Sequence, residues 1–170
     1  LSGVLDAKGD TKESLDLLRQ ALEIADQTAG SDHPSTATMR SNLAVRLHNS
    51  GDLDGAEVVY REALEVKERA LGPDNPNLTD SLSSLGKLLM DKGDFEEATE
   101  YVERAVRIAA ENMDETNFRR IASEINLATL YRETGHPDRA EALYRSALLR
   151  IIGLVGEEHA ATARVRSLLA

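Results

Sequence analysis

The sequence predicts an all-α fold, a right-handed superhelical solenoid of antiparallel helix hairpins about four units long. Three observations predict it. Gly9, Gly51, Gly93 and Gly135 stand 42 residues apart. The same kinds of residue recur behind each glycine: Ser14, Ala56, Ala98 and Ala140, then Ala21, Ala63, Ala105 and Ala147, then Leu22, Leu64, Val106 and Leu148. Within a unit, apolar residues return at helical spacing, as in Leu53, Ala56, Val59, Tyr60, Ala63, Leu64 and Val66. One hairpin of this size cannot bury such a stripe alone. Neighbouring hairpins can bury it together, so a register kept along the whole chain marks a repeat protein.

Each unit reads as two helices. The first, helix A, is predicted over 34–50, 76–92 and 118–134. It starts at His33-Pro34 and at Asn75-Pro76, where proline suits the first helical position because no amide partner is lost there. It stops at the repeated glycine, which adopts a left-handed conformation without penalty. Helix B is predicted over 11–29, 53–71, 95–112 and 137–155. Asp10, Asp52 and Asp94 stand at its N-cap. Asp10 with Glu13, and Asp94 with Glu97, have capping-box spacing. The fourth unit opens on His136-Pro137 instead. Gly30, Gly72 and Gly156 close helix B, and Asp114 stands at that place in the third unit.

The units are therefore 1–33 with a truncated helix A, 34–75, 76–117 and 118–159, followed by a partial helix A over 160–170, all in one solenoid spanning 1–170. Leu1-Ser2-Gly3 aligns with Leu43-Ala44-Val45, so residues 1–8 are predicted to end a helix A that turns at Gly9. The last residues carry Ala161, Val165, Leu168 and Leu169 rather than a polar cap. Such ends read as a piece of a longer array. Leu43-Ala44, Leu85-Gly86 and Leu127-Ala128 put a small residue after a large one at the same register. Glycine at 86 costs about 1 kcal/mol of helix propensity against alanine, so it predicts a close helix contact.

Composition removes several function classes. The chain carries 20 Lys+Arg against 30 Asp+Glu, a net charge of −10. Nucleic-acid binding and anionic membrane surfaces need the opposite sign. Absence of cysteine excludes disulfides, thiol catalysis and cysteine-ligated zinc. No apolar run approaches the roughly 20 residues that span a bilayer. Of the four histidines, His33, His136 and His159 fall at helix starts, where a capping role is expected. No histidine pair has metal-ligand spacing. Asp52-Leu53-Asp54-Gly55 resembles half a calcium loop but lacks the later ligands. Glu57–Arg61 and Glu65–Arg69 are i,i+4 pairs of an ordinary helix surface. No nucleophile–base or metal constellation is present, so no enzyme, cofactor or metal is expected. The expected compartment is the cytoplasm.

The unit resembles a tetratricopeptide repeat in the long form of the kinesin light chains. The matching residues are Leu71-Gly72-Pro73-Asp74-Asn75-Pro76, Ser41-Asn42-Leu43-Ala44, Gly51-Asp52-Leu53 with Ala56-Glu57 and Tyr60, and Glu62-Ala63-Leu64-Glu65-Val66. Asn126-Leu127-Ala128, Tyr131, Gly135, Ala140-Glu141, Leu143-Tyr144 and Ala147-Leu148 repeat them. Arg40 and Glu124 depart from the pattern at the helix A position filled by Leu82. Arg150 departs at the helix B position of Ile24, Val66 and Ile108. The resemblance implies a concave groove lined mainly by helix A that holds an extended peptide or a partner helix.

By register, the implied groove positions are Asn42, Val45, His48 and Asn49 on one helix A, Ser84, Lys87, Met90 and Asp91 on the next, and Ile125, Asn126, Thr129 and Arg132 on the third. Asn42, Ser84 and Asn126 are equivalent. A side-chain amide both donates and accepts, so it can hold a peptide backbone whatever its sequence. The alternative for these amides is a bond to a neighbouring helix. Chaperone-docking domains of this family clamp a terminal carboxylate with Lys and Arg at inward positions. Asp80, Ser84, Ala122 and Asn126 stand there instead, so that ligand is not expected. The groove charges are mixed. A polar or modestly charged peptide with apolar anchors near Val45, Met90 and Ile125 is the expected partner, within a larger adaptor or signalling protein. Two alternatives stay open: a spacer or self-assembly arm associating through its uncapped ends, and a regulatory sensor arm of a larger enzyme or ATPase.

Overall fold

A computed structural model describes the backbone of residues 2–169 and the side chains of residues 14–169. Eight α-helices follow one another, with no strand among the described residues. They are α1 (Ser2–Thr28), α2 (Pro34–Ser50), α3 (Leu53–Leu71), α4 (Thr79–Lys92), α5 (Phe95–Asn112), α6 (Phe118–Glu133), α7 (Pro137–Val155) and α8 (Ala160–Leu169). The chain forms two compact units, residues 1–73 and 74–170.

In the first unit, α2 and α3 form an antiparallel hairpin. Gly51, at φ +89°, turns the chain, and its amide bonds to the carbonyls of Leu47 and His48. The Asp52 carboxylate accepts from the Gly55 amide at 3.0 Å and caps α3 as predicted. Ala37, Leu43, Ala44 and Leu47 of α2 are buried, as are Ala56, Tyr60, Ala63 and Leu64 of α3. Arg40, charged at an apolar position, is accommodated by α1. Its guanidinium donates to Asp26 at 2.6 Å and to the Ser31 carbonyl at 2.6 Å.

The start of the chain differs from expectation. No turn forms at Gly9: α1 is one helix of 27 residues that runs through Gly9 and Asp10. The predicted cap by Asp10 and Glu13 falls on side chains outside the described residues. A hairpin turn persists when the helices on either side pack against each other. The segment ahead of Gly9 is about two helical turns, too little surface to outweigh continued helix propagation.

In the second unit, α4 with α5 and α6 with α7 form two more hairpins, and α8 packs on α7. The predicted helix over 76–92 is divided. Residues Pro76–Leu78 make a tight 3-10 turn, and the α-helix begins at Thr79. Asn75 caps this turn by accepting from the Asn77 amide at 2.9 Å, and the Thr79 hydroxyl donates to the Pro76 carbonyl. Asp94 stands at the N-cap of α5 but makes no side-chain capping bond. Gly86 fulfils its expectation. A Cβ there would lie 2.6 Å from a Val102 methyl, inside contact distance, so only glycine lets α4 and α5 approach this closely.

The other two departures answer each other. Glu124 of α6 and Arg150 of α7 form an ion pair. Arg120 donates to the same carboxylate at 3.2 Å. Arg150 and Arg120 also donate to the carbonyls of Glu115 and Met113, which ties down the α5–α6 turn. That turn has no glycine, and Met113 leaves α5 in an extended conformation. Ile151, beside Arg150, enters the core with Ile121, Ala147 and Val165. The end face predicted to be raw is partly covered. Val165 is buried in that cluster, and Leu168 and Leu169 pack beside Ala128, Ala140 and Tyr144. Ten residues of helix suffice because their apolar side faces α6 and α7.

Candidate functional site

Within the second unit, α4, α6 and α8 line a cleft. Near the starts of the two helices, Arg119 of α6 reaches Asp80 of α4 at 3.1 Å and links them. The predicted residues Lys87, Met90, Asp91, Ile125, Asn126, Thr129 and Arg132 come together around a cavity of about 370 Å³. Lys87, Asp91 and Arg132 are exposed, Ile125, Asn126 and Thr129 half-buried, and Met90 buried. Ser84 is half-buried on the same helix as Lys87 but outside this lining.

Their polar atoms are differently committed. The Thr129 hydroxyl bonds to Tyr144 at 2.8 Å and to the Ile125 carbonyl, so it serves the α6–α7 contact. Arg132 pairs with Glu133 at 3.3 Å, reaches the Leu168 carbonyl at 3.4 Å, and lies 5.9 Å from the Tyr144 ring centre, within cation–π range. The Asn126 amide has no hydrogen-bond partner among the described residues, so its donor and acceptor both remain available.

A second cavity of about 480 Å³ adjoins the first and shares Ile125, Asn126, Arg164 and Leu168 with it. Its other walls are apolar, with Phe118, Ile121 and Val165 prominent. Phe118 is 51% exposed at the start of α6. The sequence reading missed this half. A signal was there. Arg164 stands 42 residues after Ala122, and Leu168 stands 42 after Asn126. Carrying the helix A register one unit further places both in the groove.

The first unit holds the remaining predicted positions on α2. Asn42, Val45 and Asn49 are exposed and follow one another at helical spacing, and His48 is half-buried. The Asn42 amide, like Asn126, has no partner among the described residues. Ser41 beside it is engaged, accepting from the Lys67 ammonium at 2.9 Å across the hairpin. No group of acidic or histidine side chains suited to a metal ion occurs among the described residues. None of the described helices is long and apolar enough to cross a membrane.

Antiparallel hairpins recurring every 42 residues, with a cleft along their first helices, define a helical-repeat protein. The chain belongs to the tetratricopeptide repeat family: that family model matches residues 1–69, 47–111 and 78–149. None of the curated proteins matches it. Among solved structures, BtubC (BKLC) from P. vanneervenii is 26% identical, with a TM-score of 0.76 over 92% of this chain. The chain spans 62% of the length of BtubC. A Podosopora anserina kinesin-light-chain-type protein of nearly identical repeats is 24% identical, with a TM-score of 0.78 over 96% of this chain and 77% of that one. The N-terminal domain of stress-induced protein-1 from C. elegans shares the fold alone, at 15% identity and a TM-score of 0.53 over 81% of this chain and 97% of that one. The repeats are thus of the kinesin-light-chain-like kind. Tetratricopeptide repeats generally mediate protein–protein interaction and form a scaffold fold that is generally non-enzymatic.

Proposed function

We propose that this chain is a protein-interaction module that holds an extended peptide or partner helix against its A helices, as part of a larger adaptor or signalling protein. The observation that carries this reading is the cleft along α4, α6 and α8. It combines apolar walls with an uncommitted amide at Asn126. Binding sites of this kind bury apolar side chains and orient them with a few polar groups. In the first unit, taken by itself, Asn42, Val45, His48 and Asn49 would be the contact residues, and in the second Ser84, Lys87, Met90, Asp91 and Arg132 would border the ligand. The module would need no cofactor. The spacer and self-assembly reading is weaker, because the apolar side chains of α8 on which it drew pack on α6 and α7.

A peptide-display selection against the purified chain tests the proposal, with the Asn42→Ala/Asn126→Ala variant as counter-screen. An enriched motif whose affinity falls about tenfold in the variant is expected, the loss of one or two hydrogen bonds to a peptide backbone. Enriched peptides that bind the variant equally well would remove the groove from the account. No enrichment by a folded chain would favour the spacer reading.

A further inference from the structure

We infer that Tyr144 of α7 is a positioning residue for the cleft: anchored by Thr129, its ring holds the Arg132 guanidinium in place without itself touching the ligand. The inference rests on the interaction reading above and assigns a role within it. Tyr144 is buried and packs with Ala128 and Ala140. It stands behind the cleft, outside the lining to which Thr129 and Arg132 both belong.

Two contacts carry the positioning. The Thr129 hydroxyl has one proton and donates it to the Ile125 carbonyl at 3.0 Å. Its 2.8 Å contact with Tyr144 is therefore a bond that the phenol donates. That bond anchors the hydroxyl end of the ring. The Arg132 guanidinium lies 5.9 Å from the ring centre, within cation–π range. From there it reaches the Leu168 carbonyl of α8 at 3.4 Å and pairs with Glu133 at 3.3 Å. The charge of Arg132 is thus held between α6 and α8 instead of being spread over the rotamers of a free surface arginine. Ordering it beforehand spares that cost when a ligand arrives. The arrangement is particular to this hairpin. At the registers of Thr129 and Tyr144 the earlier units carry Val45 with Tyr60 and Lys87 with Val102, and neither pair has two hydroxyls. Met90 and His48 stand at the register of Arg132.

The test uses the full chain and, as probes, fluorescein-labelled copies of the peptides enriched in the display selection, with anisotropy reading the affinity. Tyr144→Leu keeps an apolar side chain in the core and removes both ring and hydroxyl. It is expected to weaken the peptides about fivefold, the scale of one cation–π contact. In an Arg132→Gln background the same substitution should leave affinity unchanged, because the loss runs through Arg132. Tyr144→Phe restores the ring and should recover most of the loss. The parent chain supplies a reading that needs no variant to fold: the NMR resonance of the Arg132 side-chain Nε–H is expected to be shifted by the ring away from that of a free arginine. An equal loss from Tyr144→Leu with and without Arg132 would assign Tyr144 to core packing alone and overturn the inference, with the interaction reading intact. An unshifted Arg132 resonance, or an Arg132→Gln variant that binds like the parent, would overturn it in the same way. If the selection enriches no peptide, the interaction reading and this inference fall together.

Discussion

Residues 82 and 108 are Leu and Ile, and both are buried. The equivalent residues 42 positions on are Glu124 and Arg150, and they pair. The register positions that hold two buried apolar side chains in one unit thus hold an ion pair in the next. The Glu124 and Arg150 side chains are 13% and 17% exposed, so both are largely removed from water. Withdrawing Arg150 leaves the largely buried Glu124 carboxylate with Arg120 alone, whereas replacing both Glu124 and Arg150 with a well-packed apolar pair is often neutral or favourable. Arg150→Ile is therefore expected to lower stability by about 1–3 kcal/mol. Glu124→Leu/Arg150→Ile together should return to within about 1 kcal/mol of the parent chain, or exceed it. Urea denaturation of the two variants measures this, and a double variant as unstable as the single one would contradict it. Arg40 follows the same logic with a different partner, Asp26 of α1.

Helix ends depend on short-range chemistry, and most of them were readable. Pro34, Pro137, Asp52 and the glycines stand where capping rules put them. At Gly9 the local rule and the outcome part. The same glycine register that turns the chain at Gly51 lies inside α1. A paired test separates the two settings. Gly51→Ala forces a Cβ into a left-handed conformation at φ +89° and should cost about 1–2 kcal/mol. Gly9→Ala removes a poor helix former from a continuous helix and should raise helicity, with a gain of up to about 1 kcal/mol. Circular dichroism with thermal melting reads both. A loss at Gly9 comparable to that at Gly51 would restore the turn that the repeat register predicts there.

At the scale of the whole molecule, repeat proteins draw stability from contacts between neighbouring units. Residues 74–170 contain two hairpins and α8, with core clusters around Ile121, Ile151 and Val165 and around Ala128, Ala140 and Tyr144. That is enough neighbouring helix surface for independent folding. A fragment of residues 74–170 is expected to be helical and to unfold in one cooperative urea transition. A gradual loss of helicity across the titration would show that it depends on the rest of the chain. Some large apolar side chains stay outside these clusters, among them Leu149 at 73% exposure, and single exposed residues of this kind are normal on a protein surface.

The helical-repeat class, the hairpin turns at Gly51 and Gly93 and the close contact at Gly86 were all legible in the sequence. Each depends on local geometry or on a periodicity that the chain repeats. Tertiary structure decided what depends on residues distant in sequence. It paired Glu124 with Arg150, engaged the Ser41 and Thr129 hydroxyls in helix contacts, and left the Asn126 amide uncommitted. It also brought Arg164 and Leu168 of α8 to the cleft that α6 borders. A repeat register names equivalent positions, but a side chain's role depends on which neighbours meet it in space. That is set only when the helices pack.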